Sequence, residues 1–108
     1  MAGRIARGEV WLHRFAPPDK RRPVVVISRQ DAIDLISTVL VAPITSTLRG
    51  LPSEVVLDAS DGMKGPCAAN LDHVHTVKKA DLSRCVARLG PARMTAICRA
   101  MSVAIGCS

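Results

Sequence analysis

The stretch Pro23-Val24-Val25-Val26-Ile27 constrains this chain more than any other. It is continuously apolar, rich in β-branched residues and too short for a helix, so it reads as a strand buried on both faces. Such a strand needs cover above and below. A second run of the same kind, Thr38–Ala42, ends at Pro43. With 108 residues the chain fits a single domain, spanning 1–108, and is too short for two independent cores.

Other segments supply the cover. Glu9–Phe15 reads as a first strand, followed by a polar, proline-containing loop over Ala16–Arg22. Ser28 begins a short helix with Asp31 three residues on, a variant of the capping box. Glu54–Leu57 is a third apolar strand, and Asp58–Pro66 is a loop with two glycines. Cys67–Leu71 and Val74–Val77 read as further strands, Asp81–Arg84 as a helical turn, and Cys85–Leu89 as a last strand. Gly90-Pro91 announces a helix, since proline suits the first helical position. Met94, Ile97, Cys98, Met101 and Ile105 recur at helical spacing, which makes Pro91–Ile105 amphipathic. Only Trp11 and Phe15 are aromatic, so the core is aliphatic. The fold class is mainly β with helices: a small, strongly bent sheet or partly closed barrel carrying a C-terminal amphipathic helix.

The formal net charge is +6 and eleven of the fifteen basic residues are arginine. Arg4, Arg7, Arg14, Lys20, Arg21, Arg22 and Arg29 face only Glu9 and Asp19 in the first thirty residues. Arginine grips phosphate through two parallel N–H bonds, where lysine is a point charge. The balance points to an acidic partner, with phosphates favoured. No long apolar span or basic amphipathic helix suggests a membrane. Cys67, Cys85, Cys98 and Cys107 form no C-x-x-C pair, and no secretory signal precedes them, which suits reduced thiols in the cytoplasm. A zinc site from Cys85 with His73 or His75 lacks the usual ligand spacing, so neither metal nor cofactor is expected.

If the two buried strands pair antiparallel, the start of the first lies beside the end of the second. Arg22 would then meet Thr45, Ser46 and Thr47. Pro23 biases Arg22 toward extended backbone, so its guanidinium would stand at the lip of a rigid strand beside hydroxyls, a phosphate clamp. On residue types alone, a surface arginine near ordinary strand-end hydroxyls is the favoured alternative.

Several motifs in order shift that balance. Arg7-Gly8-Glu9-Val10-Trp11, Arg22-Pro23-Val24-Val25-Val26-Ile27, Val41-Ala42-Pro43-Ile44-Thr45-Ser46-Thr47, Leu51-Pro52-Ser53-Glu54-Val55 and Leu71-Asp72-His73-Val74-His75-Thr76-Val77-Lys78-Lys79 follow one another as in the MazF/PemK toxin ribonucleases. The chain resembles that family over essentially its whole length. There are departures: a short first loop without the family's frequent glycines, Asp72-His73 where many members carry Glu-Gln, and Lys78 where aspartate is usual.

The resemblance implies an SH3-like β-barrel dimer, similar to the gyrase-poison fold of CcdB. It implies the toxin of a type II toxin–antitoxin pair, held by a cognate antitoxin with an acidic disordered tail. It implies sequence-specific cleavage of single-stranded RNA (mRNA, tRNA or rRNA), with Arg22 and Thr45 catalytic and Asp72 and His73 contacting bases. Arg21, Arg29, Ser46, Thr47 and Arg49 are further candidates for substrate binding. RNA carries its own nucleophile, the 2′-hydroxyl, so the cut needs charge stabilisation and proton transfers but no metal, leaving a 2′,3′-cyclic phosphate and a 5′-hydroxyl. His13 or His73 is a candidate titrating group, although His13 reads equally as a strand residue facing solvent. The competing function is a non-catalytic toxin of the same fold that poisons a protein such as DNA gyrase, since fold alone does not decide. A passive RNA-coating module fits poorly, because such proteins stack bases on several aromatics.

Overall fold

The computed structural model describes residues 4–14 and 21–107. Phe15 and most of the expected Ala16–Arg22 loop lie outside those residues. Seven strands and two helices follow in order: β1 Glu9–His13, β2 Arg22–Val26, α1 Gln30–Leu35, β3 Thr38–Thr45, β4 Glu54–Leu57, β5 Cys67–Asn70, β6 His75–Lys78, β7 Leu82–Arg88 and α2 Pro91–Ala104.

The strand pairing is antiparallel throughout, in the order β4-β5-β3-β2-β1-β7, with β6 also on β3. β2 lies between β1 and β3, as a strand without a polar face requires, and Val24, Val25 and Val26 are fully buried. Its two faces feed two cores. Val25 joins Val10, Ala42, Ile44, Val55 and Leu57 beneath Met94, Ile97 and Ala100 of α2. Val24 and Val26 join Trp11, Val39, Val41, Val77 and Leu82, with Ile5 and Ile33 of α1 as cover. The chain thus supplies a helix to each face of one bent sheet. Among the described residues no backbone ladder joins β4 to β7, so the sheet is curled but not closed by hydrogen bonds.

β3 runs through Pro43, three residues beyond the expected end at Ala42. The reason lies in the ladder. Ile27 N–H donates to the Leu40 carbonyl at 2.9 Å, and with the register Val26↔Val41, Val25↔Ala42, Val24↔Pro43 this sets the alternation. Val24–Pro43 falls on a non-hydrogen-bonded pair. The Pro43 nitrogen therefore points away from β2, into the gap between the β6 ladder ending at Val41 and the β5 ladder starting at Ile44. A missing N–H costs nothing there.

Two other expectations need correction. Asp81–Arg84 is not a helical turn: the turn is Lys79–Asp81, and β7 begins at Leu82. Leu82 is buried opposite His13, and β1 draws the polar residues after it into an edge strand with two register shifts. Ser28 does not start α1 either. Its hydroxyl accepts the Leu40 N–H at 2.7 Å, so it ties α1's approach to β3, and the helix starts at Gln30.

One buried carboxylate joins the N-terminal segment to the sheet. Glu9 accepts from Ala6 N–H at 2.7 Å, from the Trp11 indole at 3.1 Å and from Arg88 of β7 at 2.9 Å. Burial pushes the Glu9 carboxyl up, but the Ala6 N–H, Arg88 and Trp11 together outweigh it and hold the carboxyl below its usual range. A depressed carboxylate stabilises the fold above its unfolded pKa and loses that contribution as pH falls through the folded one. Glu9→Gln should therefore lower stability at pH 7 by about 1–2 kcal/mol and flatten part of the acid loss. Denaturant melts from pH 7 down to about pH 3 test this; superimposable curves for the two proteins would contradict it.

Candidate functional site

The β2–β3 ladder ends for a local reason. The next hydrogen-bonded pair would be Pro23–Ile44, and Pro23 has no N–H to donate. Arg22 and Thr45 stand one residue beyond. The β2–β3 register stops at Val24–Pro43, and Arg22 and Thr45, two residues further along each strand, line the same opening. The first strand's start and the second strand's end thus meet as expected.

Thr45 is oriented as well as placed. Its Oγ1 accepts the Thr47 N–H at 3.1 Å. With one lone pair engaged by the backbone, the hydroxyl proton is left to donate to a ligand.

Both residues border a cleft of about 760 Å3. Its floor is apolar: Leu12, Pro23, Ile44, Met63 and Val86. Among the described residues its polar groups are Arg22, Thr45, Ser46, Lys64 and Arg84, with no carboxylate. The segment Gly62–Cys67 forms one wall. That wall is pinned from below: Arg93 of α2 donates to both carboxylate oxygens of Asp61, at 3.1 and 3.2 Å, and lies 3.7 Å from Asp58. Asp58 and Asp61 also close a capping box around the turn between them. Burial pushes the Cys67 thiol up, reinforced by Asp61 and Asp58, so this cleft cysteine is a protonated thiol and a poor nucleophile.

The other predicted residues lie apart. Arg21 is exposed immediately before Arg22 but outside the lining. Arg29 pairs with Asp31 at 3.0 Å at the head of α1, by the other end of β2. Thr47 and Arg49 are exposed on the β3–β4 loop, where the Arg49 N–H donates to Glu54 at 3.1 Å. Asp72 and His73 are not on a strand: β5 stops at Asn70, whose side chain accepts the Asp72 N–H at 3.0 Å and caps a short turn. They lie past the end of β5 opposite to Cys67, with Asp72 accepting from the Ser53 hydroxyl.

His13 does not face solvent. It is buried, its ring edge-on to His75 at 6.2 Å. Burial, aided by His75 and opposed by Asp81, pushes its pKa down, so the ring is neutral at pH 7. It does not line the cleft.

Lys64 and Arg84 were missed. Arg84 follows from β7 once that strand is seen to start at Leu82, because β1 then sets it opposite Leu12. Lys64 lies in a loop with no periodicity, and the only sign was its position between two glycines. Among the described residues no group of three potential metal ligands occurs, and no helix is long and apolar enough to cross a membrane.

The chain is a small curled antiparallel sheet with a C-terminal helix and a cationic cleft where β2 begins and β3 ends. Residues 6–105 match the family described as the PemK-like, MazF-like toxin of type II toxin–antitoxin systems, and the chain belongs to that family. The probable endoribonuclease MazF5 of Mycobacterium tuberculosis (strain ATCC 25618 / H37Rv) is 51% identical over 104 residues, covering 95% of this chain and 94% of the relative. The probable endoribonuclease MazF2 of the same strain is 37% identical, over 95% of this chain and 100% of its own length. Among solved structures, the Mycobacterium tuberculosis toxin MazF-mt6 superposes with a TM-score of 0.84 at 31% identity, covering 93% of this chain and 98% of that one. An endoribonuclease in complex with its cognate antitoxin, from a mycobacterial species, gives 0.85 at 25% identity, over 94% and 95%.

The cleft wall generates a stability prediction. Gly62 has φ +88°, and a Cβ there would lie 3.2 Å from that of Ala87. Gly62→Ala should cost about 1–2 kcal/mol and loosen the segment bearing Met63 and Lys64. Denaturant melts with hydrogen exchange check this; unchanged stability and protection would contradict it.

Proposed function

We propose that this chain is the toxin component of a type II pair and an endoribonuclease that cuts single-stranded RNA at the cleft between Arg22 and Thr45. The observation that carries this reading is the cleft at the ladder's end: Arg22 and the Thr45 hydroxyl, oriented by the Thr47 N–H, line it together, and among the described residues its lining holds cations and no carboxylate. A general anion site needs no such pair, and a protein-binding poison has no use for one.

The chemistry follows from the arrangement. The 2′-oxygen attacks the adjacent phosphorus, the bond from phosphorus to the 5′-oxygen breaks, and a 2′,3′-cyclic phosphate and a 5′-hydroxyl result. The proton lost from the 2′-hydroxyl goes to solvent and one from solvent reaches the leaving 5′-oxygen. Arg22 donates two N–H bonds to the non-bridging oxygens as their charge grows, and Thr45 donates another. Arginine holds its proton, with a pKa above about 12, so its part is electrostatic. Because the nucleophile belongs to the substrate, no metal is required.

The proposal extends to assembly. The chain acts as one domain in the cytoplasm, its curled sheet a partly closed SH3-like barrel, and it works as a homodimer. An antitoxin with an acidic tail covers the cationic cleft; the similar mycobacterial endoribonuclease was solved in complex with its cognate antitoxin. RNA leaving the cleft along β5 reaches Asp72 and His73, which read its bases.

Incubating the purified chain with RNA in EDTA tests this. Discrete fragments with 5′-hydroxyl ends are expected, and Arg22→Ala or Thr45→Val should each slow cutting about 10²–10³-fold without unfolding the protein. Thr45→Ser should retain more activity than Thr45→Val. A strict magnesium requirement, or full activity in Arg22→Ala, would overturn the reading.

A further inference from the structure

Among the described residues three cations line the cleft, Arg22, Lys64 and Arg84, and the cleavage chemistry uses one. Elsewhere, the surface arginines near acidic groups are paired: Arg4 with Asp34, Arg29 with Asp31, Arg88 with Glu9, Arg93 with Asp61. Among the described residues Lys64 and Arg84 enter no ion pair, and the cleft they line holds no acidic group to receive them. Both are exposed at its edge.

Their placement follows from the fold. Arg84 of β7 pairs with Leu12 of β1, and Leu12 pairs with Pro23 of β2. The three lie in a row across adjacent strands, so Arg84 rises two strand spacings, about 10 Å, from the strand that begins with Arg22. That separation is wider than a phosphate group, and apolar Leu12 of β1 lies between. Lys64 comes from the Gly62–Cys67 wall, which the Arg93–Asp61 contact holds in place. Two cationic edges separated by an apolar floor suit a chain with a phosphate at every unit and a sugar or base between, more than an isolated anion.

We propose that Lys64 and Arg84 form a second phosphate-binding edge, which holds the RNA backbone at a phosphate other than the one being cut. The inference rests on the nuclease reading, and it deepens that reading by assigning residues that set affinity and dependence on RNA length. Arg93 is a positioning residue for this edge, acting through Asp61 on the segment that bears Lys64.

Direct binding tests the edge without relying on cleavage. The probes are fluorescent oligonucleotides, a dinucleotide and a longer strand, made uncleavable by 2′-deoxy sugars. Wild type should bind the longer strand more tightly, with log Kd rising linearly in log salt concentration. Lys64→Ala and Arg84→Ala should each reduce that slope by about 0.7, the value for one phosphate contact on a single strand, and remove most of the gain with length. Lys64→Arg should restore both. Arg99→Ala, an exposed α2 change outside the cleft, should alter neither. An unchanged slope in Lys64→Ala and Arg84→Ala would overturn the proposal, as would an equal fall in Arg99→Ala, which would mean diffuse charge. Unchanged RNA binding with weakened binding of an acidic peptide would also overturn it, assigning the edge to a protein partner. Failure of wild type to cut RNA, with these slopes as expected, would remove the nuclease reading and leave the edge standing.

Discussion

The structure depends on β2 being buried on both faces. Val24 and Val26 face one core and Val25 the other, so the chain must cover the sheet twice, and α1 and α2 do so from opposite sides. The same strand carries the device that ends its own ladder. Pro23 follows directly on Arg22 and has no N–H to donate to a ladder, and the β2–β3 register stops at Val24–Pro43, with Arg22 and Thr45 bordering one cleft beyond it. Core formation and site formation are consequences of one hydrogen-bond register.

Charge is arranged around that opening. The carboxylates are engaged away from the cleft: Glu9 under Trp11 and Arg88, Asp34 with Arg4, Asp58 and Asp61 beneath Arg93. Burying Glu9 at a strand start would be costly without its three donors, and with them it anchors the segment before β1. The Asp58–Asp61 turn likewise spends its negative charge on Arg93 at the back of the wall, and the cleft side is left to Lys64.

What could be read from the sequence divides along physical lines. β2, β4 and α2 were legible because their patterns are local: a β-branched run, a short apolar strand, and a Gly-Pro start followed by apolar residues at helical spacing. The placement of Arg22 and Thr45 at one opening followed from one assumption about pairing. The last strand was expected over Cys85–Leu89, but its start at Leu82 was obscured because its middle faces solvent at a sheet edge and its register with β1 shifts twice, which leaves no clean alternation. Arg84 was lost with it. Lys64 lies in a loop whose shape comes from a tertiary contact with Arg93. Asp72 and His73 were matched to a family position that the fold puts at the far end of β5, and no sequence pattern reveals that Asn70 ends the strand by capping a turn. His13 looked exposed because strand alternation cannot say which face a curled sheet will bury.

The central claim is that Arg22 and Thr45 act together on one phosphate. A crystal structure of the chain with an RNA strand carrying a single 2′-deoxy sugar at the cleavage position tests it directly. The predicted result is a phosphate in the cleft accepting two hydrogen bonds from the Arg22 guanidinium and one from the Thr45 hydroxyl, while the Thr47 N–H still donates to Thr45. A strand bound with its phosphates away from both residues would contradict it.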